Sequence, residues 1–272
     1  MSEANLSRSG LPLSLTAEGA LELGDGLELK GTGHKQVADM QGLFRVDVGE
    51  QGAEWAYDTY RAIARPCDRE LFERELISYD ITVIAPGAVA GEPKKTSGHY
   101  HGWNEARTNT YGEVYEVLLG TALFMLQRSD DFEENPEGAR VRDCVAVTVE
   151  PGQTLVVPPN YGHCSINAGE GPLVFSNLAY VPCPVLYDSV KAHHGMAYYA
   201  LRDERGQLEL VANDRYRDLP AIRRATVHEC PELGIEFSRG AYESFVSHSD
   251  RFDYLPHPDE YVDKIMGLLD FE

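Results

Sequence analysis

The chain has 272 residues, 43% of them hydrophobic, so it is long enough and apolar enough to fold around a large core. Its formal net charge of −20 argues against nucleic acid as a partner, because an acidic surface repels phosphates. The first residues are polar and predict no signal peptide, and the absence of a long apolar run predicts no membrane partner. The five cysteines include no CxxC pair, which predicts reduced thiols in a cytoplasmic protein.

The chain begins with a polar segment and continues as a series of strands. Residues 1–15 are predicted to form a loose arm within an N-terminal segment that reaches residue 29. Residues 34–49 predict a short helix followed by a turn. Runs rich in β-branched and aromatic residues, separated by Gly/Pro turns, then predict strands. These runs cover residues 55–64, 75–87, 113–120, 121–129, 141–152, 153–160, 163–169 and 172–182.

Short strands at this spacing, without alternating helices, are typical of an all-β sandwich or barrel. Residues 113–120 and 121–129 meet at Gly120, which predicts a tight hairpin between them. After about residue 218 the sequence changes to short helical and irregular pieces with many aromatic residues. Residues 219–272 are therefore predicted to form an extension that packs on the barrel or on a partner subunit.

Three histidines and one glutamate predict a metal site inside the barrel. His99 and His101 are two residues apart, so their side chains lie on the same side of an extended strand. A carboxylate follows on the next strand, and His163 begins a later one. Three imidazoles and one carboxylate suit a divalent ion such as Fe, Mn, Ni, Co or Zn. Glu113 and Glu116 compete for the fourth position, because three residues apart on a strand they face opposite sides.

Two sequence blocks around these residues carry the two-part cupin signature. They read GHYHGWNEARTNTYGEVYEVLLG at 98–120 and EPGQTLVVPPNYGHCSINAG at 150–169. The chain resembles the archaeal-type, metal-dependent glucose-6-phosphate isomerase family of the cupin superfamily. The other matching segments are KQVADMQGLFRVD at 35–47, AYDTY at 56–60, ITVIAPG at 81–87 and VANDRYRD at 211–218.

The likeness spans roughly residues 30–218, and it implies the domain organisation. A cupin barrel, which is a double-stranded β-helix or jelly roll, is expected over that range. Residues 1–29 are then an N-terminal arm, and residues 219–272 are a C-terminal extension of mixed structure.

The resemblance also implies roles for individual positions. The family's metal ligands match His99, His101, Glu113 and His163, which favours Glu113 over Glu116. The positions that line its sugar-phosphate pocket and hold the phosphate match Tyr57, Thr82, Thr96 and Gly98. Two tyrosines near the sugar match Tyr115 and Tyr180. Phosphate is therefore expected to be held largely by hydroxyl and backbone N–H groups, which suits an acidic protein.

The activity implied by the resemblance is a metal-dependent aldose–ketose isomerisation that interconverts glucose 6-phosphate and fructose 6-phosphate, a step of glycolysis and gluconeogenesis. One divalent ion per subunit would stabilise an enediolate as charge develops. Glu113 is expected to carry the proton between C1 and C2, while Tyr115 or Tyr180 transfers the hydroxyl proton. A hydride shift gives the same product, and the sequence does not separate the two routes. The resemblance further implies a homodimer.

Three other functions are consistent with a cupin metal site. They are an Fe(II) oxygenase, an isomerase or epimerase for a different and possibly unphosphorylated metabolite, and a non-catalytic barrel that is either sugar- or metabolite-binding or purely structural. An oxygenase is expected to have an apolar or aromatic pocket. Here the Thr, Gly and Tyr positions of the pocket favour a polyhydroxylated substrate.

The chain departs from the family pattern in two segments. The loop at 102–112 is longer than the family usually has, and residues 181–195 lack the expected His and Tyr pattern, which Tyr187 and Asp188 only partly replace. Both departures bear on the shape of the substrate pocket. Lys94 and Lys95, just before the ligand strand, are the nearest basic candidates for phosphate binding.

Overall fold

The computed structural model describes residues 3–272, and extended backbone predominates in them, as predicted for an all-β protein. The strands are β1 (Ala4–Asn5), β2 (Leu13–Leu15), β3 (Leu21–Leu23), β4 (Gly31–Gln36), β5 (Trp55–Arg61), β6 (Ile77–Ile84), β7 (Ala88–Val89), β8 (Glu92–Pro93), β9 (Tyr100–His101), β10 (Glu113–Leu119), β11 (Ala122–Asp130), β12 (Arg140–Val149), β13 (Thr154–Val157), β14 (Tyr161–Asn167), β15 (Leu173–Tyr180), β16 (Val185–Leu186), β17 (Tyr198–Arg202), β18 (Leu208–Ala212), β19 (Arg223–Val227) and β20 (Leu269–Phe271).

The helices are short and lie between the strands. The α-helices are α1 (Arg69–Glu75), α2 (Asp188–Ala192), α3 (Ala241–Ser247) and α4 (Val262–Met266). Single 3₁₀ turns occur at Ser7–Ser9, Val37–Met40, Gly49–Ala53, Pro136–Gly138, Pro231–Leu233, Ser249–Phe252 and Pro258–Glu260.

Two large sheets form the barrel. The six-stranded sheet has the order β13-β10-β15-β6-β5-β4, and the five-stranded sheet has the order β14-β11-β12-β19-β20. Side chains of both sheets share one buried cluster, in which Phe175 of β15 packs against Phe124 of β11 with ring centroids 6.1 Å apart. This two-sheet arrangement is the jelly roll expected of a cupin barrel.

The chain passes from one sheet to the other at Gly120, so the hairpin predicted there is wrong. Strand β10 belongs to the six-stranded sheet, whereas β11 pairs with β12 and β14 in the five-stranded sheet. Gly120 has a φ of 79°, and a Cβ atom at this position would lie 2.7 Å from the Pro172 carbonyl oxygen. Glycine is required by this tight crossing, and a glycine between two strands is also the usual signal of a hairpin turn.

The outer face of the six-stranded sheet is covered by both ends of the chain. A second buried cluster combines Ile81 and Val83 of β6 with Leu13 and Leu15 of β2 and with aromatic residues of α3. Strands β1, β2 and β3 form a small antiparallel sheet. The loose arm predicted for residues 1–15 is therefore wrong for residues 3–15, because their leucines cover apolar sheet surface that would otherwise face water.

The C-terminal extension packs on the barrel, which is one of the two expected alternatives. Strand β19 pairs in parallel with β12, and β20 pairs with β19. Helix α3 lies against the outer face of β10, where the Ala241 backbone N–H donates to the Glu116 carboxyl group at 2.8 Å. Residues 219–272 thus extend one sheet and cover the other.

The helix predicted for residues 34–49 begins later than expected. Residues up to Gln36 belong to β4, which pairs with β5 along its length, and the 3₁₀ turn Val37–Met40 follows. The pairing partner of β4 determines this boundary, and local sequence does not show it. Across residues 3–272, the helices are all too short or too polar to span a bilayer.

Candidate metal centre

The three histidines and Glu113 meet in one cluster. Each of the four side chains offers one ligand atom, and these atoms lie within 4.8 Å of one another. His99 N donates to His163 O at 3.0 Å and His163 N donates to His99 O at 2.9 Å, so the segment before β9 is fixed against β14. Strand β10 brings Glu113 from the six-stranded sheet. The cluster therefore joins the two sheets.

Glu113 and Glu116 face opposite sides of β10, as the strand period requires. The Glu113 Oε2 atom lies 3.2 Å from Nε2 of His101 and 3.2 Å from Nε2 of His163. Glu116 points away, under helix α3. Glu113 is therefore the carboxylate of the cluster, and Glu116 is not part of it.

Both oxygens of the Glu113 carboxylate have hydrogen-bond donors. Asn177 Nδ2 donates to Oε1 at 2.8 Å, and the Tyr115 hydroxyl donates to Oε2 at 2.8 Å. Burial alone would raise the pKa of Glu113, but the close contacts with the His101 and His163 rings outweigh burial and hold this pKa well below its usual range. The carboxylate is therefore ionised, which is the form that ligates metals.

The histidines present lone pairs to a common point. Burial lowers the pKa of His99 and of His163, so both imidazoles are neutral, as metal ligands must be. His101 Nδ1 donates to the Tyr111 carbonyl oxygen at 3.0 Å, which leaves a lone pair on Nε2. That Nε2 lies 3.3 Å from Nε2 of His99. Facing imidazole nitrogens beside a carboxylate fit a divalent cation between them.

A cavity of about 210 Å³ lies beside the cluster. His99, Tyr115 and Asn177 line the part next to the cluster. Residues of β4 and β5 line the rest, together with Thr82, Thr96, Ser97, Phe175 and Tyr187. Hydroxyl, amide and basic side chains predominate in the lining. Although the chain has 44 Asp and Glu residues, no carboxylate of residues 3–272 lines the cavity. This lining suits a polyhydroxylated ligand that carries negative charge.

Three of the four residues predicted to hold phosphate line this cavity, namely Tyr57, Thr82 and Thr96. The Tyr57 hydroxyl lies 3.4 Å from the Ser97 hydroxyl. Thr96 Oγ1 accepts a hydrogen bond from the Ser165 backbone N–H at 3.0 Å, so this hydroxyl also holds β14 in place. Substitution of Thr96 would therefore disturb the barrel as well as any bound ligand.

The fourth predicted phosphate residue, Gly98, has a packing role that its sequence match does not show. Its φ is 75°, and a Cβ atom there would lie 3.0 Å from Met196 Sδ and 3.3 Å from Cys164 Cβ. Glycine is therefore required to bring the ligand strand close to β14. Cys164 points away from the cluster, with its thiol donating to the Thr96 carbonyl oxygen at 3.1 Å.

Tyr180, predicted to lie near the sugar, is placed elsewhere by the structure. It packs against Tyr111 with ring centroids 5.0 Å apart, and it lines a different cavity together with C-terminal residues. On β15, Asn177 faces the cluster, so Tyr180, three residues further along, faces the opposite side. The prediction of a catalytic role for Tyr180 is corrected accordingly.

The two lysines considered for phosphate binding are already engaged in ion pairs. Lys94 Nζ lies 2.8 Å from a carboxylate oxygen of Glu54, and Lys95 pairs with Glu92. Lys95 and Glu92 are both buried. Neither lysine lines the cavity beside the metal cluster.

Sequence reasoning missed several residues of the cavity. The most informative are Asn177 and Arg61, which lie outside the matched motifs, and Lys35, which begins the matched segment 35–47 but was not assigned a role. Arg61 lies on β5 at an even spacing from Tyr57, so strand alternation alone places both on one face. Tyr187 also lines the cavity, with its ring centroid 5.6 Å from that of His99.

Comparison with known sequences identifies one family. The family model described as glucose-6-phosphate isomerase matches residues 34–217. The chain is 30% identical to a glucose-6-phosphate isomerase of Pyrococcus furiosus over 190 residues, which cover 67% of this chain and 87% of the relative. It is 31% identical to that of Thermococcus gammatolerans over 185 residues, which cover 67% and 86%.

Proposed function

The chain belongs to the glucose-6-phosphate isomerase family, and from that premise we propose that it interconverts glucose 6-phosphate and fructose 6-phosphate. The observation that carries the proposal is the His99–His101–Glu113–His163 cluster beside a cavity without carboxylates. An aldose phosphate needs hydroxyl partners along its chain and positive charge at its phosphate. The Fe(II) oxygenase alternative is not favoured, because the cavity is lined mainly by polar side chains.

The metal would be held by the three imidazoles and the Glu113 carboxylate, as one divalent ion per chain from the group Fe, Mn, Ni, Co and Zn. When bound, such an ion supplies Lewis-acid stabilisation of the negative charge that develops on substrate oxygen. The donor set does not distinguish these metals, since affinity order and supply both decide occupancy.

We infer that the phosphate is recognised at the part of the cavity formed by β4 and β5. On the cavity side, Lys35 is opposite Tyr57 and Gly33 is opposite Thr59. Arg61 is opposite Gly31, which has no side chain. A Cβ atom at Gly33 would lie 2.7 Å from Thr59 Oγ1, so the glycine leaves room here. The charged side chains of Lys35 and Arg61 would neutralise the phosphate, and the hydroxyls of the paired strands β4 and β5 would orient it.

Proton transfer is assigned to Glu113 with Tyr115 as its partner. Tyr115 lines the cavity and also contacts the carboxylate, so its hydroxyl connects the substrate space with Glu113. Burial and the nearby Glu113 charge raise the pKa of Tyr115 well above its usual value. The hydroxyl therefore keeps its proton and would redirect it from Glu113 to a substrate oxygen, while Glu113, as the carboxylate beside the cavity, would move the proton between C1 and C2.

We further infer a cytoplasmic homodimer that uses an exposed sheet edge. Strand β4 is the last strand of the six-stranded sheet, and most of its side chains are exposed. An unpaired edge of this kind is a template for pairing with a second chain.

The test is isomerisation of glucose 6-phosphate by the purified protein, first stripped with a chelator and then reloaded with each candidate ion. We expect activity only after reloading. His163→Ala should lose both the ion and the activity while the β circular-dichroism spectrum is retained. His257→Ala, at an exposed histidine paired with Asp253, is the matched control and should remain active.

The same assay in D₂O tests the route of the hydrogen. Deuterium on the product carbon requires proton transfer with solvent exchange, because a hydride shift carries the hydrogen directly between the two carbons. Full activity of a metal-free His163→Ala variant would contradict the proposed function, and deuterium in the product would exclude a hydride shift as the sole route.

A further inference from the structure

The long loop at 102–112 is held from outside by the C-terminal extension. Asp259 Oδ1 accepts three hydrogen bonds from it, from Asn104 Nδ2 at 2.8 Å, Thr108 Oγ1 at 2.7 Å and Asn109 Nδ2 at 2.8 Å. The donors Asn109 and Thr108, followed by Asn104, lower the pKa of Asp259. These are therefore charge-assisted bonds to an ionised carboxylate.

The end of the same loop that lies nearest the site contacts both the segment that carries His163 and the ring of His101. Asn109 Oδ1 accepts a hydrogen bond from Asn160 Nδ2 at 2.7 Å, and the Thr110 backbone N–H donates to Asn160 Oδ1 at 3.0 Å. Asn160 lies three residues before His163 in the chain. The Tyr111 carbonyl accepts from His101 Nδ1. The loop thus supports the His163 segment and orients the His101 ring.

We propose that Asp259 is a positioning residue of the metal centre, which acts by holding the loop at 102–112 so that the Tyr111 carbonyl fixes the orientation and tautomer of His101. Asp259 contacts neither the four candidate ligands nor the cavity beside them, so its effect passes through the loop. It lies outside the residues 34–217 that match the family model. The extension therefore has a role in the site as well as in covering the barrel.

A single carboxylate oxygen is the common acceptor of three loop side chains, so its removal leaves all three without that partner. The loop retains internal bonds, such as Thr108 N to Asn104 Oδ1 at 3.0 Å, and Arg107 remains paired with Glu133 at 2.9 Å. The loop should therefore loosen at 108–110 without unfolding. Partners that orient a metal-bound histidine typically change metal affinity about 10–100-fold, and a residue one step further out should have the smaller effect.

The inference rests on the metal centre of the proposed function but not on its substrate, so it is tested by metal binding. Co²⁺ affinity is measured by competition with a chelator in full-length Asp259→Ala and Asp259→Asn, together with the Co²⁺ visible spectrum. We expect Asp259→Ala to weaken binding about tenfold and to alter the spectrum. Asp259→Asn retains an acceptor oxygen and should recover most of the affinity. Hydrogen exchange in the metal-free protein should be faster at 108–111 in Asp259→Ala.

The matched control is Asp270→Ala, since Asp270 is an exposed carboxylate of the same extension that pairs with His228 at 3.1 Å and does not touch the loop. Its Co²⁺ affinity and spectrum should equal those of the wild type. Should Asp259→Ala fail to fold, Thr108→Val removes one donor from the loop side and should weaken Co²⁺ binding in the same direction. Wild-type affinity and spectrum in the folded Asp259 variants would overturn the proposal. If Asp259→Ala lost isomerase activity but bound Co²⁺ as the wild type does, the proposal would also be overturned.

Discussion

Arg61 is the residue whose position says most about the charge of the substrate. It lies on the cavity side of β5 opposite Gly31, so no neighbouring side chain occupies the space across the ladder. Its side chain is exposed at the edge of a cavity without carboxylates, in a chain of net charge −20. A cation that avoids the many available carboxylates is well placed to receive an anionic ligand.

Arg61→Met should therefore weaken phosphate recognition and leave the chemical step intact. The methionine keeps most of the aliphatic length and removes the charge. A hydrogen bond to a charged group contributes about 1.5–3 kcal/mol, and at a solvent-exposed edge we expect the lower end, a rise of about tenfold in KM for glucose 6-phosphate. The kcat should change less than about threefold. Steady-state kinetics measures both.

The control for this change is Arg142→Met, at an exposed strand arginine that pairs with Asp130 and does not line the cavity. It should leave KM unchanged. An unaltered KM in Arg61→Met would mean that phosphate is bound by other groups of the cavity.

Among the elements, helix α3 is docked on a buried carboxyl group. Glu116 is 2% exposed, and its carboxyl accepts the Ala241 backbone N–H at the start of the helix. Burial raises the pKa of Glu116 to about 7, although the Ala241 N–H and the Arg8 charge oppose that shift, as does Ser176. Tyr79 also lies near enough for Glu116 to raise its pKa. The barrel and its covering extension thus share a titratable contact.

This contact predicts a pH-dependent stability. An unfolded glutamate has a pKa near 4.5, so between pH 4.5 and about 7 the folded state binds more protons than the unfolded state. The contribution is complete below about pH 4.5, and stability falls as pH rises through 7. Between pH 5 and 8 the wild type should lose about 2–3 kcal/mol relative to Glu116→Gln, which keeps the acceptor and cannot ionise. Urea unfolding at both pH values measures the difference.

The comparison variant is Glu209→Gln, at an exposed position of β18. It should follow the pH dependence of the wild type. If Glu116→Gln does so too, the carboxyl of Glu116 titrates normally in the folded protein, and the docking of α3 does not depend on its protonation.

At the scale of the whole molecule, the cluster of three histidines and Glu113 connects the two sheets of the barrel. Glu113 comes from the six-stranded sheet and His163 from the five-stranded sheet, while His99 and His101 lie on the segment between β8 and β10. A bound ion would cross-link these parts only in the folded state, so it would stabilise the fold by mass action.

Removal of the ion should therefore lower the Tm. At a free metal concentration one hundredfold above Kd, the stabilisation is about 2.7 kcal/mol, which corresponds to a decrease of about 5–10 °C for a domain of this size. Calorimetry with and without chelator measures the shift. His163→Ala should melt at the same temperature under both conditions, whereas His257→Ala should behave as the wild type. Identical Tm values for stripped and loaded wild type would show that the cluster does not bind the ion strongly.

The amino-acid sequence by itself determined the chemistry of the cluster. The i, i+2 spacing of His99 and His101, and the opposite facing of Glu113 and Glu116, follow from the period of a strand and need no knowledge of distant parts of the chain. The same local alternation, together with Gly/Pro turns, indicated an all-β barrel. The family match supplied Tyr57, Thr82 and Thr96, which all line the cavity.

Only the tertiary structure decided how distant segments meet. Asn177 faces the cluster and Tyr180 does not, because the pairing of β15 with β10 fixes which face of β15 is turned inwards. The crossing at Gly120 likewise depends on long-range pairing. Contacts between residues 150 positions apart, such as that of Asn109 with Asp259, leave no periodic trace in the sequence. Strand alternation is a local property, whereas register and docking are settled by the partner that each segment finds in the folded chain.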